Sequence, residues 1–106
     1  MADFSRVTCL TIVAESVISE RLLEAISACG ARGWTTSMAE GHGPSGHGVS
    51  GIEGGNVRLE TLVSEEVATR IWEVLERDYF PHYAVSAWEY DVKVARLARY
   101  SDDSKS

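Results

Sequence analysis

Glycines and arginines are the residues of this 106-residue chain that could do chemistry on an anion. Seven of the nine glycines fall in the stretch AEGHGPSGHGVSGIEGGN, residues 39–56. Because glycine has no Cβ, backbone N–H groups at Gly41 and Gly43 can approach phosphate oxygens closely. A guanidinium carries a planar fork of donors that matches phosphate, and the candidates are Arg58, Arg96 and Arg99. These residues allow phosphate binding, although each glycine could be a flexible turn and each arginine a solvated surface charge.

Hydroxyl and imidazole side chains are the other candidate groups. Thr35, Thr36 and Ser37 could bond the polar edge of a ligand, or could be ordinary strand residues. His42 and His47 lie five residues apart, but no cysteine or close carboxylate joins them at ligand spacing. Ordering a glycine-rich loop around a metal would also cost conformational entropy. A structural metal site is therefore disfavoured.

The sequence contains none of the catalytic motifs sought. It has no Ser/His/Asp ordering, no paired acids at strand ends and no GxxxxGK[ST] loop. An acylphosphatase-like enzyme would need a basic anion loop after the first strand, and AESVIS holds no basic residue. Cys9 and Cys29 match no zinc or redox spacing and are expected to be buried apolar residues. We expect no enzymatic activity.

Charge and length limit the class of protein further. The formal net charge of −6 argues against broad binding to nucleic acid or to an anionic membrane surface. The first residues, MADFSRVTCL, contain neither a signal peptide nor a membrane span, which predicts a cytoplasmic protein. With 44% hydrophobic residues, the chain can bury one modest core.

Hydrophobic periodicity predicts six elements in the order β-α-β-β-α-β. The predicted strands are residues 6–14, 33–39, 56–63 and 84–97, and the predicted helices are residues 17–29 and a segment from the N-cap Ser64 to Pro81. Gly30 is expected to close the first helix in the left-handed conformation. This order predicts a ferredoxin-like α+β fold, with both helices on one face of an antiparallel sheet. The strands hold more apolar side chains than two helices can bury, so self-association is expected to cover the other face.

The order of the motifs resembles that of PII signalling proteins. GWTTSMAEGHGPSGHG, residues 33–48, is similar to the segment where a Gly, a large residue and a Thr open the second strand and a Gly-aromatic-Gly step begins the long T-loop. NVRLETLV, residues 56–63, is similar to the segment that lies against the adenine nucleotide in that superfamily. Its Asn-apolar-basic-apolar-Glu run points to the PII-like proteins associated with bicarbonate transport and carboxysomes, the SbtB and CPII type. The resemblance extends over residues 6–100.

The resemblance implies a homotrimeric regulatory protein that binds an adenine nucleotide in clefts between subunits. AMP or ADP is expected rather than ATP, with bicarbonate as a candidate second ligand. Ordering of the T-loop would then signal to a partner, either a membrane transporter or a carbon-metabolism protein, with carboxysome association. The implied nucleotide-binding residues are Thr35, Thr36, Ser37, Gly41, His42, Gly43, Arg58, Glu60, Leu62, Arg96 and Arg99.

Within that set, two residues match functional positions of the family. In the family a tail arginine reaches a phosphate, and Arg99 is a better match to it than Arg96 is. Glu60 takes the place of a glutamate near the adenine. His42 stands in for the aromatic residue of the Gly-aromatic-Gly step. The alternative function is a divalent-metal-responsive trimeric protein on the same fold.

Several differences separate the chain from the nitrogen-regulatory PII proteins. The T-loop lacks the tyrosine that those proteins uridylylate, and Asn56 replaces the lysine that pairs with 2-oxoglutarate. The segment DYFPHYAVSAW lacks the Gly-Lys phosphate contact of their B-loop. Linkage to glutamine synthetase and tight triphosphate binding are therefore disfavoured. We expect a single domain over residues 1–100, with a T-loop at about residues 40–56 and a flexible polar tail at residues 101–106.

Overall fold

The structure of the protein, a computed structural model, describes residues 4–40 and 55–95. The elements follow the predicted order. They are β1 Phe4–Glu15, α1 Ser19–Cys29, β2 Thr35–Ala39, β3 Asn56–Val63, α2 Glu65–Val74 and β4 Ser86–Ala95. A 3-10 turn, Ser16–Ile18, precedes α1, and a π-helical turn, Leu75–Tyr79, continues α2. The ferredoxin-like α+β prediction is confirmed.

The four strands form one antiparallel sheet in the order β2-β3-β1-β4. Side chains alternate between the two faces of each strand, and both helices pack on the same face. Apolar side chains between the helices and the sheet form the core because their burial removes apolar surface from water. The fully buried members of this core include Leu10 and Ile12 of β1, Leu22 and Ile26 of α1, Leu59 of β3 and Ile71 of α2.

The ends of the strands differ from the sequence prediction where distant residues decide them. β1 is longer than residues 6–14 because Phe4 pairs with Ala95 of β4 and Glu15 pairs with Asn56 of β3. β2 begins at Thr35, two residues later than predicted, because its ladder with β3 begins there. β4 begins at residue 86 rather than 84, and its predicted end at residue 97 lies outside the described residues.

The connection from α1 to β2 is held by polar contacts from α2 and β3. Gly30 ends α1 with φ +118°, as predicted, and its N–H donates to the carbonyl oxygens of the last turn. Arg70 Nη1 of α2 donates to the Cys29 carbonyl at 2.7 Å. Thr61 Oγ1 of β3 donates to the Gly33 carbonyl at 2.6 Å. These bonds place the start of β2 against β3.

Local signals set both ends of the second helical segment. The Ser64 hydroxyl accepts a hydrogen bond from the Val67 N–H at 3.2 Å, which confirms the predicted N-cap. The π-helical turn ends at Tyr79, the Phe80 N–H donates to the Leu75 carbonyl, and Pro81 follows. None of the helices within residues 4–40 and 55–95 has the length and hydropathy needed to cross a membrane.

The sheet face opposite the helices, called here the open face, has no helix covering it. On it lie Trp88 and Tyr90 of β4, whose residues are 41% and 46% exposed. The side chains of this face include Cys9 and Thr11 of β1, Thr35 and Ser37 of β2, Arg58, Glu60 and Leu62 of β3, and Trp88 and Tyr90 of β4.

Candidate functional site

A row of four side chains crosses the open face at the middle of the sheet. In the strand register, Thr35 lies opposite Glu60 and Glu60 lies opposite Thr11. Thr11 in turn lies opposite Trp88. Ser37 lies opposite Arg58 in the next row. Because directly opposed residues share one face, the register brings these hydroxyl, carboxylate, guanidinium and indole groups together.

The Glu60 carboxylate is the centre of this group. Arg58 Nη2 lies 2.9 Å from Glu60 Oε2, and Thr11 Oγ1 donates to the same oxygen at 3.2 Å. The Arg58 hydrogen bond is the main reason why the pKa of Glu60 lies below its ordinary value, since partial burial acts in the opposite direction. Thr11 and Tyr90 also lower this pKa. Glu60 is therefore ionised near neutral pH and accepts hydrogen bonds without donating them.

Trp88 encloses the other side of the group. The guanidinium carbon of Arg58 lies 5.9 Å from the centre of the Trp88 ring, within cation-π range. Thr11 beneath them is fully buried, whereas the Arg58 and Glu60 side chains remain 43% and 33% exposed. A ligand on this face can therefore reach the charged pair but not Thr11. Since Arg58 is already bonded to Glu60, a phosphate would have to share or displace that bond.

Five of the residues implied by the resemblance lie together on the open face: Thr35, Ser37, Arg58, Glu60 and Leu62. Thr36 does not join them. It lies opposite Leu59, and its side chain therefore faces the helix side of β2. The remaining implied residues, Gly41, His42, Gly43, Arg96 and Arg99, lie outside the described residues.

Thr11 and Trp88 complete the group, although neither belongs to a motif that the sequence predicts to bind a ligand. Both belong to regularly alternating strands, where their roles look like ordinary packing. Thr11 carried one weak signal, since it is a polar residue within a buried apolar strand. Their approach to Glu60 follows from strand pairings that join residues dozens of positions apart.

Cysteines and metal ligands form no second site within the described ranges. Cys9 and Cys29 are both free and buried, as predicted. Burial raises the pKa of the Cys29 thiol, with nearby arginines acting in the opposite direction. No group of three or more His, Cys, Asp or Glu side chains that could hold a metal ion occurs in residues 4–40 and 55–95.

Comparison with known proteins identifies the family. The family model of nitrogen regulatory protein P-II matches residues 7–99. A solved PII-like signalling protein from Thermus thermophilus is 46% identical, with a TM-score of 0.80 over 92% of this chain and 98% of that one. No curated protein matches the chain.

Two further solved structures share the fold at low identity. CPII from Thiomonas intermedia K12, a nitrogen regulatory PII-like protein bound to ADP, AMP and bicarbonate, is 17% identical, with a TM-score of 0.83 over 93% of this chain and 97% of that one. The GlnK-ATP complex of B. subtilis is 18% identical, with a TM-score of 0.54 over 82% of this chain and 84% of that one. From the near full-length family match and the 46% identical relative, it follows that the chain belongs to the P-II family.

Proposed function

We propose that this P-II family protein binds an adenine nucleotide at the β2–β3 part of the open face, in a cleft completed by a neighbouring subunit. The observation that carries the proposal is the group formed by Thr35, Arg58 and Glu60, which offers hydroxyl, guanidinium and carboxylate within one small area. CPII, which shares the fold, is bound to ADP, AMP and bicarbonate. AMP or ADP is the proposed ligand, with bicarbonate as a second one.

A homotrimer is the proposed assembly. Trp88 and Tyr90 leave much of their aromatic surface in water on the open face. A second copy of the chain is the proposed cover for this surface, since burying it would be favourable. Sedimentation at micromolar concentration tests this, and a monomer would contradict it.

The proposed output is a change in the T-loop, the segment that joins β2 to β3. A ligand held at Thr35 and Glu60 would contact the two strands that lead into that segment at Ala39 and Asn56, so we propose that its effect reaches the loop along the β2–β3 ladder. The proposed recipient is a membrane transporter or a carbon-metabolism protein that contacts the loop. Ordering the loop would subtract from the binding free energy, so modest nucleotide affinity is expected.

The first experiment is a calorimetric titration with AMP, ADP, ATP and cyclic AMP, each with and without bicarbonate. Saturable binding of AMP or ADP is expected, and no binding of any of the four would overturn the proposal. Repeating the AMP titration with a chelator addresses the metal-responsive alternative, which predicts that AMP binding depends on the metal.

Thr35 and Thr36 provide a matched pair of variants, because they are neighbours whose side chains face opposite sides of β2. Thr35→Val removes a hydroxyl from the proposed site and should weaken AMP binding by roughly threefold to tenfold. Thr36→Val makes the same change away from the site and should leave AMP affinity unaltered. Equal effects of the two substitutions would show that the ligand does not bind at this edge of the open face.

Arg96 and Arg99 provide a second matched pair, taken from the family resemblance. Arg99→Ala should weaken ADP binding by roughly tenfold to a hundredfold, because a charge-assisted contact to phosphate is lost, while adenosine binding stays the same. Arg96→Ala should have the smaller effect. The oligomeric state of each variant is measured alongside, so that a lost subunit contact is not mistaken for a lost phosphate contact.

A further inference from the structure

Thr11 is a fully buried hydroxyl directly beneath the charged pair of the open face. It lies in β1, one of the two interior strands, between Glu60 of β3 and Trp88 of β4 in the register. Its Oγ1 donates to Glu60 Oε2 at 3.2 Å, the same oxygen that Arg58 Nη2 bonds at 2.9 Å. Two donors from different strands therefore converge on one carboxylate oxygen.

This arrangement restricts rotation of the Glu60 side chain. It also leaves acceptor sites on the carboxylate for a ligand. A carboxylate has about four lone-pair sites, and the two bonds to Oε2 use neither of those on Oε1. The side chain is one-third exposed, so a ligand can reach it. Without Thr11, Glu60 would keep only Arg58 and Tyr90, which are both partly exposed, as neighbouring donors.

Charge decides which part of a nucleotide suits this acceptor. The ionised Glu60 neutralises Arg58 and would repel a phosphate placed beside it. A ribose hydroxyl or a base amine has N–H or O–H donors and no charge, and the Thr35 hydroxyl opposite Glu60 adds a second neutral polar contact. The nucleoside part of the ligand therefore fits here better than the phosphates do.

We propose that Thr11 is a positioning residue, which fixes the Glu60 carboxylate so that it accepts a hydrogen bond from the nucleoside part of the ligand. This inference rests on the proposed adenine-nucleotide binding. It assigns a ligand-binding effect to a residue that the ligand cannot touch.

The test measures adenosine and AMP affinity for the full chain carrying Thr11→Val, Glu60→Ala or both. Thr11→Val should weaken both ligands by roughly threefold to tenfold, the effect of one hydrogen bond. In the Glu60→Ala background no acceptor remains for the Thr11 hydroxyl, so the same change should have less than about a twofold further effect. An equal loss in both backgrounds would show a merely structural role and overturn the proposal.

Two further variants separate the hydroxyl from its surroundings. Thr11→Ser keeps the donor and should retain nearly the affinity of the original protein. Thr8→Val is the matched control, because Thr8 is a buried threonine of the same strand whose side chain faces the helices. It should leave affinity unchanged, and an effect as large as that of Thr11→Val would contradict the inference. Should Thr11→Val fail to fold, Thr11→Ala against Thr11→Ser in both backgrounds makes the same comparison.

Comparison of ligands tests the nucleoside assignment. Glu60→Gln should weaken adenosine, AMP and ADP, with adenosine losing at least as much as ADP. If Glu60→Gln instead leaves adenosine binding unchanged and strengthens ADP binding, a phosphate lies beside Glu60 and the proposal is wrong. If the original protein binds none of these ligands, the proposed function fails together with this inference. If nucleotides bind but their affinity does not change on substitution of Thr11 or Glu60, this inference is wrong and the proposed function is not.

Discussion

Replacing Gly30 by alanine should destabilise the fold at the turn that leads into the candidate site. Gly30 has φ +118°, a conformation that costs an L-residue about 1–2 kcal/mol. An added Cβ would also lie 3.0 Å from Val67 Cγ2 and 3.2 Å from Arg70 Nη1. Val67 is fully buried, which leaves it little room to move aside, and the Arg70 guanidinium, which bonds the Cys29 carbonyl, would have to shift by a few tenths of an ångström.

The expected loss combines these contributions. Overpacking of a tight site costs about 1–3 kcal/mol, to which the backbone strain is added. Alanine recovers about 0.4–1 kcal/mol by restricting the unfolded chain. The net loss in the free energy of unfolding should therefore be about 1–5 kcal/mol, from the sum of strain and overpacking less this recovery.

Urea denaturation at one fixed protomer concentration measures this loss. Gly33→Ala is the matched control, because no atom lies within 4 Å of its added Cβ and its φ is not in the left-handed region. It should change the free energy of unfolding by less than about 0.5 kcal/mol. If Gly30→Ala matches this control, the left-handed turn and its contacts with α2 do not hold the connection as argued.

Three further predictions follow from single contacts. Thr61→Val removes the donor to the Gly33 carbonyl and should cost about 1–3 kcal/mol in urea denaturation, because a partly buried carbonyl loses its partner. Ser64→Ala should cost about 1 kcal/mol through loss of the α2 N-cap, measured the same way; no change would mean that this cap is unimportant. The pKa of Glu60 is lowered in the folded protein, so the stability it contributes is present above its ordinary pKa, near 4.5, and is lost as pH falls through the folded value. The original protein should therefore lose more stability than Glu60→Gln between about pH 5 and pH 3 in urea titrations, and parallel losses would contradict the shift.

Local patterns were sufficient to predict the elements of the fold. The alternation of apolar and polar residues in NVRLETLV agrees with the side chains of β3 that are buried, and the spacing of Leu22, Ile26 and Cys29 agrees with the buried side of α1. Gly30 and Ser64 were identified as caps because a cap depends on a single residue and its immediate neighbours. The motif order also pointed to the P-II family, which the family model and the 46% identical relative show.

Only the tertiary structure decided which groups meet at the candidate site. Thr35 and Thr36 are equivalent in sequence terms, and the register with β3 places one beside Glu60 and the other on the helix side. Thr11 and Trp88 meet the charged pair through β1–β3 and β1–β4 pairings, which span many residues. The sequence by itself determined the elements and their buried sides, because those depend on residues a few positions apart. Pairing register depends on the whole sheet, so the hydrogen bonds on Glu60 became visible only once the strands were assembled.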